Sequence, residues 1–268
     1  MKKLILSIFI LALALTLAAC GGESVESAPT PAEPALTATP EPTPEPTPEP
    51  MPEPTPTPAP EHSELYVPGL EITDLIRYFN EVTLDAEFVS GGDASLVQKW
   101  DSPIDYVLLG DYTEEDKAIV EEMAAFLNTI DGFPGMQEAE EEYMSDLAIH
   151  FCTQEEMVNI LGDNFWTMDG GVTFWYDDAN RIYDATICIL SDLTEPLRRS
   201  VILEEIYNGL GPVQDSDLRT DSIIWSGYAS PQNLTIIDET ILKLLYNEAI
   251  SCGMSAEECE VVIRALYW

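Results

Sequence analysis

The residues best suited to chemistry lie between positions 204 and 215, at the end of a helix that the apolar pattern predicts over residues 196–210. Glu204 and Asn208 are four residues apart, so they share one face of that helix. Carboxylate and amide oxygens are the ligands that a hard cation such as Ca²⁺ takes in proteins. Glu204, Asn208 and Asp215 could therefore hold a divalent cation. Glu205 would then act as the general base on a bound water.

The same segment resembles the helix of a metzincin peptidase, which reads His-Glu-x-x-His and ends at a glycine that turns the chain toward a third zinc ligand. Glu205 stands at the position of the general base, and Gly211 at that of the turn glycine. Glu204 and Asn208 replace the two histidines, and Asp215 falls near the third ligand position. Zinc favours nitrogen and sulfur ligands, so these oxygens predict at best a weak zinc site.

The domain as a whole is similar to a family of bacterial lipoproteins called domain of unknown function 2927. Short motifs of that family follow one another in order over residues 95–260: Lys99-Trp100, Gly110, Glu204-Glu205, Asn208, Leu210-Gly211, Asp215-Ser216, Ser222-Ile223, Leu245-Tyr246 and Gly253-Met254. The resemblance implies one metzincin-like α/β domain in a family whose function is unknown. It does not imply protease activity.

Three readings of residues 204–215 follow. In the first, which we expect, a degenerate peptidase-like domain binds a peptide or a cell-envelope protein without hydrolysis and without a cofactor. In the second, the domain is a hydrolase with a divalent cation on oxygen ligands. In the third, it is a structural interaction module of the cell envelope. Glu204 and Glu205 would then cap the helix or pair with Arg198 or Arg199.

The N-terminus has the layout of a secretory signal peptide over residues 1–19, with two lysines before an apolar run. Small residues precede Cys20, as in the bacterial lipobox, so we expect Cys20 to carry the lipid. Residues 20–61 are rich in Pro, Thr and Glu and predict an extended polyproline II spacer. The expected location is therefore extracytoplasmic, with the protein anchored to the membrane through its lipid.

Residues 62–268 predict one domain with its own core. They contain 41 of the 49 acidic residues and 9 of the 11 basic ones. Such a charge repels nucleic acid, so we expect no nucleic-acid partner. Four cysteines follow Cys20, an even number that permits two disulfides in an exported domain. We expect the pairs Cys152–Cys188 and Cys252–Cys259.

Other candidate residues are weaker. A catalytic triad would have to use His150, but an alternating strand pattern predicts a structural position for it. The acids of residues 215–221 lack calcium-loop spacing, which favours a solvated loop. Trp166, Trp175 and Tyr176 could line a groove, although aromatic residues near strands predict core positions.

Periodicity and turn residues predict a regular order of elements. The predicted helices cover residues 71–80, 113–127, 154–161, 196–210, 237–248 and 255–267, and the predicted strands cover 104–109, 146–152, 172–176 and 182–190. A strand–helix–strand unit, a hairpin and C-terminal helices together predict a single α/β domain with a mixed sheet.

Overall fold

The computed structural model describes residues 63–84, 96–227 and 231–267. The predicted signal peptide, Cys20 and the spacer of residues 20–61 lie outside the described residues. Within the described ranges, none of the helices has the length and apolar character needed to cross a membrane.

The described chain folds as the predicted α/β mixture. The helices are α1 (Ile72–Leu84), α2 (Glu114–Leu127), α3 (Gln154–Leu161), α4 (Leu197–Asn208), α5 (Ile236–Leu245) and α6 (Ala256–Leu266). The strands are β1 (Lys99–Trp100), β2 (Ile104–Gly110), β3 (Met136–Glu138), β4 (Leu147–Cys152), β5 (Gly170–Tyr176) and β6 (Arg181–Leu190). Threonine or serine capping boxes begin α2, α3, α5 and α6, which is why the sequence locates those starts within a few residues.

All six strands belong to one mixed sheet. β6, β4, β2 and β3 are parallel neighbours in that order, and β1 pairs with the first residues of β6. β5 runs antiparallel to β6, which confirms the predicted hairpin. Among the described strands β5 pairs with β6 alone, so one edge of β5 is left open beside α4.

The start of α4 is fixed by a buried ion pair. The Arg198 guanidinium donates two hydrogen bonds to the Asp116 carboxylate, at 2.6 and 2.7 Å. Asp116 also accepts the backbone N–H of Thr113 in the capping box of α2. A bidentate pair of this kind holds its partners in one geometry, so α4 begins at a fixed place against α2.

The end of α4 is fixed by side chains that donate hydrogen bonds to the carbonyl groups just after its last residue. The indole N–H of Trp100 donates to the Gly209 carbonyl at 2.9 Å, and the Tyr246 hydroxyl donates to the Leu210 carbonyl at 2.7 Å. Helix termini leave such carbonyls without intrahelical partners. Gly211 follows with φ +121°, and a Cβ there would lie 2.5 Å from the Gln98 carbonyl oxygen. Only glycine fits this turn.

Further residues of the family motifs support the same region. The Lys99 ammonium donates to the carbonyls of Leu245 and Ile250 at 2.7 and 2.5 Å. The Ser222 hydroxyl donates to the buried Asp238 carboxylate and accepts the hydroxyl of Tyr78. The resemblance in sequence is therefore carried largely by residues that hold the elements around α4.

The cysteines are thiols in the structure, contrary to the expected disulfides Cys152–Cys188 and Cys252–Cys259. Cys152 and Cys188 share a small apolar cluster with Met157. They are diagonal neighbours on parallel strands, since Cys152 lies opposite Leu190. Strand spacing and rise put such a pair about 8 Å apart at Cα, beyond the usual disulfide range. Cys259 is buried, whereas Cys252 is partly exposed.

Candidate functional site

A pocket of about 450 Å³ opens beside α4. One wall is the beginning of the edge strand β5, at residues 170–172, and another is the loop of residues 213–227. Glu204, Glu205, Asn208 and Asp215 all line it. The structure therefore brings together the four residues that the sequence singles out.

The helix and the turn after it explain this convergence. Glu204 and Asn208 are one helical turn apart on α4, and both are half-buried. Glu205 is 7% exposed. The turn at Gly211 brings the chain back, so Asp215 lies exposed at the same pocket. The Asn208 Oδ1 atom is buried and has no hydrogen-bond partner among the described residues.

The two adjacent carboxyl groups of α4 hold their protons unusually tightly. Burial, followed by the charges of Asp215 and Asp169, raises the pKa of Glu204 to about 8. Burial also raises the pKa of Glu205 well above its usual range, and the charges of Glu204 and Asp215 add to it. No basic group is among these causes. Perturbed carboxyl groups in a cleft are a mark of functional sites.

The strand β5 approaches α4 closely because it begins with two glycines. A Cβ on Gly170 would lie 2.6 Å from Glu205 Oε1 and 2.7 Å from Val201 Cγ1. A Cβ on Gly171 would meet the ring of Phe165. Larger residues would push the strand away from the carboxyl groups. The glycines thus let the backbone of an open sheet edge reach the pocket.

The third interpretation of residues 204–215 predicts that Glu204 and Glu205 pair with Arg198 or Arg199. That pairing is wrong. Arg198 binds Asp116, and Arg199 donates to Glu122 at 2.8 Å. Neither arginine forms an ion pair with Glu204 or Glu205 among the described residues. The arginines point toward α2, so the two glutamates face the pocket without a cation from their own helix.

The residues suit zinc poorly. In the described part of the chain, no three His, Cys, Asp or Glu side chains are grouped so that they could hold a metal ion. Glu204, Asn208 and Asp215 offer two carboxylates and one amide, which are ligands for a hard cation. Burial and nearby acids raise the pKa of Glu204 to about 8. A cation that binds below that pH would therefore have to displace the proton of Glu204 first.

The neighbouring acids of the loop are engaged with nearby residues. Asp217 accepts a hydrogen bond from the Ser226 hydroxyl, and Asp221 pairs with Arg219 at 2.6 Å. Both carboxylates are exposed. This agrees with a solvated loop.

His150 has the strand position that its pattern predicts. It lies on β4 and pairs in register with Leu109 and Cys188. Burial lowers the pKa of its imidazole. His150 does not line the pocket.

The expected core positions of the aromatic residues are partly wrong. Trp166 and Trp175 are 60% and 49% exposed, whereas Tyr176 packs against the core. Trp175 faces away because alternate side chains of an edge strand point outward. Phe165 and Trp225 line the pocket instead. Sequence reasoning missed these two because their contacts with α4 and β5 depend on the fold of two loops.

Comparison with known protein families identifies a match over most of the domain. The family described as "Protein of unknown function (DUF2927)" matches residues 73–265. A search of curated proteins found no similar protein. The match includes both walls of the pocket and the residues that fix α4, and it extends over most of the chain. The chain therefore belongs to the DUF2927 family.

Proposed function

We propose that this protein is a lipid-anchored extracytoplasmic binding domain, with a peptidase-like pocket that holds a ligand without hydrolysing it. The observation that carries the proposal is the convergence of Glu204, Glu205, Asn208 and Asp215 on one pocket. These are the positions at which a metzincin-like helix would have its zinc ligands and base. Here they offer oxygen atoms only.

The protonation state of the pocket supports binding over hydrolysis. A general base must be ionised at working pH, whereas burial and neighbouring acids raise the pKa of Glu205 and so favour its protonated form. A zinc ion would lower that pKa, yet the imidazoles that would hold zinc are missing. The pocket can still bind a ligand. It has one buried acceptor without a partner among the described residues, apolar walls and an open strand edge.

The open edge favours a peptide as the ligand. β5 has one unpaired side among the described strands, and its first residues line the pocket. An extended peptide can add to such an edge through backbone hydrogen bonds, while pockets select its side chains. A lipid on Cys20 and the proline-rich spacer would present this surface outside the membrane.

The test is to incubate the full-length protein in detergent with a library of random peptides in metal-free buffer. We expect mass spectrometry to recover bound peptides intact, with capture lost in Asn208→Leu. Glu248→Gln, a change on the exposed turn after α5, is the matched control and should capture normally. New peptide termini that disappear in Glu205→Gln, or one tightly held zinc per chain by elemental analysis, would refute the proposal.

A hydrolase with a hard cation is the second candidate. The Asn208 Oδ1 atom favours it, because this atom has no partner among the described residues and its side chain lines the same pocket as Glu204 and Asp215. Calcium titration followed by peptide assays distinguishes the two. Cleavage that needs Ca²⁺ and is lost in Glu205→Gln would establish hydrolysis. Capture of intact peptides with and without Ca²⁺ would leave the binding function.

A further inference from the structure

The pocket beside α4 is lined by acidic residues and by no described basic residue. The acidic residues are Asp169, Glu204, Glu205 and Asp215. Seven of the nine Lys and Arg residues of the domain form ion pairs with acids outside the pocket. The chain therefore pairs most of its cations elsewhere, and no described Lys or Arg forms an ion pair with Asp169, Glu204 or Glu205.

Two polar groups at the pocket have no hydrogen-bond partner among the described residues. The Glu205 carboxyl is nine-tenths buried, and no described residue forms a hydrogen bond or an ion pair with it. The buried Asn208 Oδ1 also has no hydrogen-bond partner in the part of the chain that the structure describes. A buried polar group without a partner costs about 1–3 kcal/mol, and most such groups in proteins are satisfied. What is missing at this pocket is a group that donates hydrogen bonds.

The apolar part of the pocket restricts what that group can be attached to. Val172, Val201 and Val213 line it together with the aromatic rings of Phe165 and Trp225. A bare metal ion gains nothing from such walls, because it needs oxygen ligands around it. An aliphatic stem with a charged head can place its methylene groups against them. An aromatic face near the head adds attraction for an organic cation.

From these features we infer that the pocket binds an organic cation, namely an ammonium or guanidinium group on an aliphatic stem. The head donates to Asn208 Oδ1 and to the carboxyl groups of Glu204 and Glu205, while the stem packs on the valines. Two sources have this chemistry: the lysine or arginine side chain of a peptide, and a free polyamine. The inference rests on the proposed binding function and narrows its ligand.

The test is calorimetric titration of the full-length protein in detergent, with EDTA, at pH 8.5. A lysine ammonium is still charged there. The probes are Nα-acetyl-lysine amide, its Nε-acetylated form and 1,5-diaminopentane. We expect the first to bind at least about tenfold more tightly than its neutral Nε-acetyl form, because hydrogen bonds to charged groups contribute about 1.5–3 kcal/mol. Tight binding of diaminopentane alone would identify a free polyamine as the source.

Variants separate this inference from the proposed function. We expect Glu204→Gln and Asn208→Leu each to weaken amine binding about tenfold or more, and Glu248→Gln to leave it unchanged. Equal binding of the charged and Nε-acetylated probes, or no binding of any amine at millimolar concentration, would overturn the inference. The proposed function would survive if intact neutral peptides were still captured and Asn208→Leu released them. Loss of that capture as well would refute both.

Discussion

Replacing Glu204 by Gln should stabilise the protein at alkaline pH and leave its stability almost unchanged in acid. The reason is the raised pKa of Glu204, which burial and the charges of Asp215 and Asp169 bring to about 8. An unfolded chain releases that proton near pH 4.5, the ordinary value. Between these values the folded state binds more protons than the unfolded state, so stability falls as the pH rises.

The difference between the two pKa values sets the pH range over which Glu204 lowers the free energy of unfolding. Below about pH 4.5 both states are protonated, and the glutamate costs nothing. The loss in the free energy of unfolding grows as the pH rises from about 4.5 and is complete above about pH 8. At ~1.4 kcal/mol per pH unit the full shift corresponds to at most about 5 kcal/mol. Because Glu204 is half-buried at an open pocket, solvent screening reduces this, and we expect about 2–3 kcal/mol at pH 9.

The assay is urea denaturation of the full-length protein and the variant from pH 4 to pH 9 in EDTA. Glutamine has nearly the same shape as glutamate and carries no charge. It also removes the repulsion that helps to raise the pKa of Glu205. The two stability curves should meet near pH 4 and diverge steadily above it. Glu248→Gln, on an exposed turn, should track the original protein throughout.

Two outcomes would refute the reasoning. One is a constant difference between the curves of Glu204→Gln and the original protein across the pH range, which would indicate a packing effect. The other is a variant that is less stable at pH 9, which would mean that Glu204 is ionised at a favourable partner. The same urea denaturation should be repeated with Ca²⁺ to test the hard-cation candidate. Selective stabilisation of the original protein at alkaline pH would support the hard-cation candidate.

Three further predictions concern the start of α4, the glycine wall of the pocket and the membrane anchor. Arg198→Leu leaves the Asp116 carboxylate buried without its partner and should lower the free energy of unfolding by about 3–5 kcal/mol in urea; a loss below about 1 kcal/mol would contradict a buried pair. Gly170→Ala puts a methyl group against Glu205 Oε1 and should abolish ligand capture while the circular dichroism spectrum stays folded; normal capture would count against this wall of the pocket. Cys20→Ala should move the protein from the membrane fraction to the soluble fraction, and unchanged membrane retention would count against lipidation.

Local signals in the sequence account for most of the fold. The capping box at Thr113 and the alternating hairpin strands predict α2, β5 and β6 to within a few residues. β3 is not predicted, because three residues carry too little periodicity and the strand forms by pairing with β2. The Arg198–Asp116 pair joins residues 82 positions apart. No local pattern indicates it.

The candidate site also has residues that local sequence patterns predict and residues that they do not. Glu204 and Asn208 can be recognised because helical spacing puts them on one face, and the glycine turn indicates the direction of Asp215. Residues such as Asp169 and Trp225 reach the pocket only through the approach of β5 and the folding of a distant loop. The sequence therefore predicts the face that a single helix presents, but not the walls opposite it.

Glu204 and Glu205 of α4 are better explained by ligand binding than by a contribution to the stability of the fold. Its ends are already fixed by Arg198 at the start and by Trp100 at the last carbonyls. Apolar side chains at positions 204 and 205 would pack without any desolvation cost. The helix instead has two adjacent carboxyl groups whose burial favours the neutral form. Local rules of stability are broken mainly where function requires it, so the cost carried by these glutamates is the strongest reason to look for a ligand there.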